Sequence, residues 1–225
     1  MENRIDRALE RCGRKRSEIN LVAVTKKFSA ARIAEAYQAG LREFGENYVQ
    51  EFAAKKQELG SLHEARFHLI GHLQSNKAQA ACELFDVVET ADSARILERL
   101  DRAAGERGQN LEVLLEVKLS DEAAKTGTAA GKIGELLSVA RKCSHITVTG
   151  LMTVPPWSED PERSRPYFRE LSRLSREHNL AKLSMGMSGD FEVAIEEGAT
   201  IVRIGTALFG PRPKPAEEIV APLRT

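Results

Sequence analysis

The stretch MSGDFEVAIEEGATIVRIGTALFG, residues 187–210, sets Ser188-Gly189 before a helical pattern and then returns to Arg203, Gly205 and Thr206. Small residues cost helices and strands stability, so two such turns close together need a reason. A phosphate group is one: backbone N–H groups at a helix start bind anions, and glycine lets the ligand come near. Two tight turns, with Ser188 as a simple helix cap, are the plainer alternative. Lys26 offers a second chemistry. It ends the stretch NLVAVTK (20–26), where alternation puts Val22, Val24 and Lys26 on one face and Leu21, Ala23, Thr25 and Lys27 on the other. If the valines point inward, so does Lys26; its ammonium is then disfavoured and its amine becomes a nucleophile for a carbonyl. A lysine snorkelling at a rim is the alternative. Arg203 shares a face with Ile201 and Gly205, and a buried guanidinium needs an acceptor, either an Asp or Glu or a ligand atom. An amine, a phosphate cradle and an arginine together suggest an aldehyde cofactor carrying a phosphate, namely pyridoxal phosphate.

Other candidates carry less. His68 and His72 in FHLIGHL are four apart but straddle a strand end, and His63, His145 and His178 add no metal-site spacing. Asn47, beyond FGE, and Gln74-Ser75-Asn76, beyond IGHL, are placed to line a site or to serve as loop hydrogen-bonding groups. GxSxG, GxxxxGK[ST] and HExxH are missing, which removes three common enzyme readings. SDEAAKTGTAAGK (120–132) reads as a polar loop with turns at Gly127 and Gly131.

The elements that must position these residues alternate along the chain. Eight short apolar, β-branched stretches, at 20–26, 42–48, 67–71, 85–90, 111–119, 146–154, 183–187 and 200–205, read as buried parallel strands. Helical patterns fill the gaps. Ser29 caps one that carries Ile33, Ala36 and Tyr37 and closes at Gly40; Asp92 caps one with Ile96, Leu97 and Leu100. Ile133, Leu136, Leu137 and Ala140 follow helical spacing, and Asp160-Pro161 starts a helix with Phe168, Leu171 and Leu174. The alternation predicts an α/β fold, a single (β/α)8 TIM-type barrel of residues 20–211 with an extra N-terminal helix over 1–19 and a tail over 212–225. A doubly wound sheet is the rival. In such a barrel, ligands sit at the C-terminal ends of the strands, and phosphates favour the loops after strands seven and eight. Ser188-Gly189 and Gly205-Thr206 occupy those two loops, with a helix from Asp190 to about Glu197 aimed at the ligand.

Composition excludes several partners. Among 225 residues, 33 basic and 33 acidic side chains cancel, which gives no electrostatic case for nucleic acid or an anionic membrane. No apolar run approaches the roughly 20 residues of a membrane span. Cys12, Cys82 and Cys143 are odd in number and lack CxxC pairing, which points to a reducing cytoplasm.

LVAVTKKFS, FGENYVQE, FHLIGHLQSNK, GLMTVPP and LSMGMSGDFEVAIEEGATIVRIGTALFG resemble, in that order, motifs of the pyridoxal phosphate homeostasis proteins, from about Asn20 to Pro211. The resemblance implies a barrel similar to the N-terminal domain of bacterial alanine racemase. It makes Lys26 the cofactor lysine, Ser188, Gly205 and Thr206 phosphate ligands, Arg203 the partner of the pyridine nitrogen, and Asn47 a neighbour of the cofactor. VETADS (88–93) departs from the family pattern, and that departure is expected to touch none of the proposed ligands. The implied function is a protein that holds pyridoxal 5'-phosphate through a Schiff base and buffers or delivers it without substantial catalysis. A monomer is expected, with cofactor-dependent apoenzymes as candidate recipients. Racemases of similar build draw a second base partly from another domain, and with the sequence read to Thr225 no such domain is expected. Two alternatives stay open: a racemase or lyase using Tyr48 or a loop residue as base, and a barrel enzyme acting on another phosphorylated substrate.

Overall fold

A computed structural model describes residues 1–122 and 125–211. Its strands are β1 (Asn20–Val24), β2 (Glu43–Glu46), β3 (Arg66–Leu69), β4 (Val87–Ala91), β5 (Leu111–Lys118), β6 (Thr128–Ala129), β7 (Ile146–Met152), β8 (Lys182–Ser184) and β9 (Ile201–Ile204). They pair in parallel in the order β4-β3-β2-β1-β9-β8-β7-β5, and β4 pairs with β5 to close the ring. Eight strands therefore form the expected barrel. The two-residue β6 pairs along β5 at Val117 and Lys118, within the stretch read as a polar loop. Gly127 turns the chain there with φ +112°, and a Cβ on it would lie 2.8 Å from the Lys118 nitrogen.

The helices are α1 (Glu2–Cys12), α2 (Ala30–Gln38), α3 (Val49–Leu59), α4 (Ala78–Leu84), α5 (Ala94–Glu106), α6 (Ile133–Ala140), α7 (Arg165–Glu177), α8 (Phe191–Glu196) and α9 (Thr206–Phe209). Their apolar faces obey the spacing read from the sequence. Ile33 and Ala36 are buried on α2, Ile96, Leu97 and Leu100 on α5, Leu136 and Leu137 on α6, and Phe168, Leu171 and Leu174 on α7. Ser29 caps α2 by accepting from the Arg32 N–H at 3.4 Å. Asp160 caps the 3-10 turn Pro161–Ser164 that leads into α7, accepting from Glu162 N–H. One cap shifts by a residue: α5 begins after Ser93, not Asp92.

The N-terminal helix is shorter than 1–19, because Gly13 takes the left-handed conformation (φ 68°) and a 3-10 turn at Arg16–Glu18 follows. Ile5, Ala8 and Leu9 bury its apolar face, and Arg4 and Arg11 pair with Glu192 and Glu196 of α8. Arg14 donates to the carbonyls of Ile195 and Ala199, meeting the C-terminal end of α8. The expected tail at 212–225 lies outside the described residues.

Two apolar layers result. The large one fills the space between strands and helices, with Phe44, Phe52, Phe67, Phe168 and Phe191 at its centre. The small one, Val22, Val87, Leu114, Met152 and Ile201, is the barrel interior. Val22 belongs to it and pairs in register with Arg203, so the inward parity assigned to β1 and β9 holds.

Candidate functional site

Continuing that parity past the strand ends brings Lys26, Asn47, Ile70, Val154 and Gly205 to the C-terminal mouth, around a cavity of ≈ 450 Å³. The six residues that the resemblance assigns to the cofactor all line it: Lys26, Asn47, Ser188, Arg203, Gly205 and Thr206. Gln74, Ser75 and Asn76 do not, because the chain turns there into a 3-10 helix (Ser75–Lys77) that runs on into α4. Tyr48 is 53% exposed and also lies off the cavity. Phe28, Trp157 and Asp190 are lining residues that sequence reasoning missed. The chain's single tryptophan, directly beyond the quoted GLMTVPP, was the available signal for the second of these.

Lys26 is held in place from behind. The next residue, Lys27, adopts φ 64°, and its N–H donates to Glu51 Oε1 at 2.5 Å. Thr25 Oγ1 donates to the fully buried Glu46 Oε1 at 2.7 Å, and Lys55 Nζ donates to the same oxygen at 2.8 Å and to the Thr25 carbonyl at 3.0 Å. Burial pushes the Glu46 carboxyl up against the hydrogen bond and charge of Lys55. These contacts pin the end of β1, so Lys26 faces the cavity on a fixed backbone. Asn47 is pinned too: a Cβ on Gly71 would lie 2.2 Å from the Asn47 carbonyl oxygen, so only glycine fits beside it.

Arg203, buried on β9, is oriented by protein acceptors. Nη1 donates to Ser184 Oγ at 2.5 Å and lies 3.9 Å from Glu89 Oε2; Nη2 donates to the Thr153 carbonyl at 2.8 Å. Ser184 Oγ in turn donates to Glu89 Oε2 at 2.5 Å. Glu89 Oε1 meets His68 Nδ1 at 2.6 Å, and His68 Nε2 meets Glu43 Oε2 at 2.5 Å. A polar chain thus runs from Glu43 up through the barrel interior to the guanidinium at the cavity floor. The VETADS departure, expected to touch none of the site residues, places Glu89 directly under Arg203. Burial pulls the Arg203 guanidinium below its ordinary range, while Glu89, Asp190 and Glu116 oppose that shift.

At the opposite wall, Ser188 Oγ accepts from the Ala207 N–H at 3.3 Å, joining the loop after β8 to the start of α9. Ser188 is therefore not the cap of α8. Asp190 is, and its carboxylate accepts from Met187 N–H at 2.7 Å and from Ser164 Oγ at 2.8 Å. That negative charge offsets the dipole of α8, so an anion here would be met by Ser188, Gly205 and Thr206 at the start of α9.

An amine, a buried guanidinium and a wall of hydroxyl and glycine residues converge on one cavity, which matches the donor set a phosphorylated aldehyde requires. Known proteins agree with that architecture. Residues 1–213 match the family model of the alanine racemase N-terminal domain. The pyridoxal phosphate homeostasis protein of Aquifex aeolicus is 42% identical over 215 residues, covering 93% of this chain and 94% of that protein. The chain belongs to this family. PipY of Synechococcus elongatus, whose structure was solved with PLP bound, superposes with a TM-score of 0.80 at 38% identity, over 92% of this chain and 100% of PipY. Alanine racemase of Clostridium difficile shares the fold alone, at 15% identity and a TM-score of 0.71, and this chain covers 56% of its length.

Proposed function

We propose that the chain binds pyridoxal 5'-phosphate in the mouth cavity and serves its homeostasis, with no substantial turnover of amino acids. The observation that carries this is the convergence of Lys26, Asn47, Ser188, Arg203, Gly205 and Thr206 on one cavity. Bound there, the cofactor supplies an aldehyde that condenses with a primary amine, and Lys26 is the amine lining the cavity. Ser188, Gly205 and Thr206 bind the phosphate, and Asn47 lies beside the ring. Arg203 donates to the pyridine nitrogen. Enzymes that need a strong electron sink keep that nitrogen protonated with a carboxylate. A guanidinium has no acceptor to offer a ring N–H, so it favours the unprotonated ring and a weak sink. Weak electron withdrawal suits storage and delivery better than carbanion chemistry. Cofactor-dependent apoenzymes as recipients, a monomer and a reducing cytoplasmic setting, in keeping with free Cys12, Cys82 and Cys143, complete the proposal.

The test is borohydride reduction of the cofactor-loaded protein followed by peptide mapping. Label on Lys26 is expected; label on Lys27 overturns the site. Solvent hydrogen exchange at the α-carbon of added amino acids then separates carrier from racemase. Turnover at ordinary enzyme rates, about 1–1000 per second, would replace the carrier reading.

A further inference from the structure

Three ionisable side chains inside the barrel, Glu43, His68 and Glu89, do not line the mouth cavity, yet they lead to Arg203, which does. His68 and Glu89 are buried, and Glu89 reaches Ser184 of β8, a strand that is not its neighbour in the ring. Charges so placed persist only where they are paired. Here two carboxylates, one imidazolium and one guanidinium cancel. That balance hangs on a single proton, the one that lets both nitrogens of His68 donate.

Glu89 divides its two oxygens between the two cations. Oε1 meets His68 Nδ1 at 2.6 Å; Oε2 accepts from Ser184 Oγ at 2.5 Å and lies 3.9 Å from Arg203 Nη1. The guanidinium therefore reaches Glu89 through the serine rather than directly. While His68 is charged, it meets much of the Glu89 charge, and Arg203 keeps its own for the cavity. Once His68 is neutral, Glu43 and Glu89 are left with Arg203 as the cation within this set. A net negative charge then lies in low dielectric under the cavity, where it opposes an anion above. Burial alone would lower the His68 pKa, but the carboxylates of Glu43 and Glu89 raise it to about 9. The charges around the set belong to neighbouring strands and the mouth. Arg66 of β3 lies 3.7 Å from Glu43 and donates to Glu112 of β5, which also pairs with Lys182 of β8. Glu116 and Asp190 act on Arg203, and Lys26 lines the same cavity.

We propose that the proton on His68 and a phosphate-bearing ligand in the mouth cavity are coupled through Glu89 and Arg203, each favouring the other. The inference rests on the cofactor assignment and adds a regulation to it. The site loads more readily with His68 charged and releases more readily with His68 neutral. His68 is a positioning residue here, acting through Arg203. Such coupling is reciprocal, so the bound ligand must raise the proton affinity of His68 by the factor with which the proton tightens binding.

The experiment titrates the full-length, cofactor-free protein with pyridoxine 5'-phosphate between pH 7 and 10. This probe has the ring and the phosphate but no aldehyde, so it forms no bond with Lys26. His68→Gln fixes the interior in its net negative state while leaving Lys26 and the ligand's own groups to titrate as before. At pH 7 it should bind about fivefold or more weaker than the parent, and the difference should vanish by pH 10. NMR of the parent gives a second measurement: the His68 ring signal should titrate at higher pH with saturating ligand than without. If His68→Gln does not fold, Glu43→Gln serves. It removes one carboxylate from the far end, so the coupled fall in affinity should move to lower pH. A parent-to-variant affinity ratio unchanged between pH 7 and 10, or a His68 titration unmoved by bound ligand, overturns the proposal. Either result leaves borohydride labelling of Lys26 standing. Failure of the probe to bind, with no label on Lys26, overturns the cofactor assignment and this inference together.

Discussion

His68 should make the protein's stability fall as pH rises from about 6.5 to about 9. It is 3% exposed, yet both ring nitrogens meet carboxylates, Glu89 at 2.6 Å and Glu43 at 2.5 Å. Burial alone would lower its pKa; the two carboxylates prevail and raise it from 6.5 to about 9. The folded chain therefore holds a proton that the unfolded chain releases between pH 6.5 and 9. Stability from this source is complete below about pH 6.5 and is lost as pH rises through about 9. The difference of 9 and 6.5 corresponds to about 3 kcal/mol. In a domain of this size that is roughly 6–12 °C of melting temperature.

The assay is urea unfolding or thermal melting at steps from pH 6 to 9, on the parent and on His68→Gln. Two other shifted groups stay outside the window. Glu112, held down to about 2 by Lys182, Thr149 and Arg66 against its burial, adds stability that is lost only as pH falls from the usual carboxylate range toward 2. Cys82, pushed up to about 11 by burial, matters only above its ordinary value of 9.0. The parent curve should therefore fall across the window. The variant should start several kcal/mol lower, since Glu89 loses its main charged partner, and should stay nearly flat. The curves approach each other toward pH 9. A flat parent curve, or an equal slope in the variant, would refute the charged histidine.

Lys55→Met should cost about 3–5 kcal/mol in urea unfolding, because it strands the fully buried Glu46 carboxylate. The double variant with Glu46→Gln should recover most of that loss. On the proposed assignment of Ser188 to the phosphate, Ser188→Ala should remove one hydrogen bond worth about 1.5–3 kcal/mol, and cofactor titration should then show roughly tenfold to hundredfold weaker binding. Gly71→Ala forces a methyl to within 2.2 Å of the Asn47 carbonyl. Circular dichroism and cofactor absorbance should report either misfolding or a folded protein with impaired loading; normal loading would show that Asn47 can move.

The barrel was legible because each of its signals is local. Apolar runs of strand length, caps such as Ser29 and Asp160, and helical spacing in α5 and α7 all act within about ten residues. The mouth was legible for a related reason. Alternation in NLVAVTK and TIVRIG fixes which side chains point inward, and the barrel then brings β1 and β9 together in register at Val22 and Arg203. Gln74-Ser75-Asn76 stay open between the two roles in the sequence, because patterning does not distinguish a loop that folds over the mouth from one that winds directly into the next helix.

What pattern could not reveal is the support beneath the site, because its members lie far apart in the chain. Ser184 and Glu89 are 95 positions apart, and Arg203 and Thr153 are 50 apart. Each looks unremarkable in its own strand. A glutamate in VETADS reads as a break in an apolar run, and only closure of the barrel turns it into the base of a chain ending at Arg203. The same closure explains why the guanidinium had two candidate acceptors and meets the protein one first. Ser184, Thr153 and Glu89 fix Arg203 from below, which leaves its position set before any ligand enters the cavity above. A donor held that rigidly loses little freedom when it binds, and its geometry is decided by β4, β7 and β8 rather than by the cofactor.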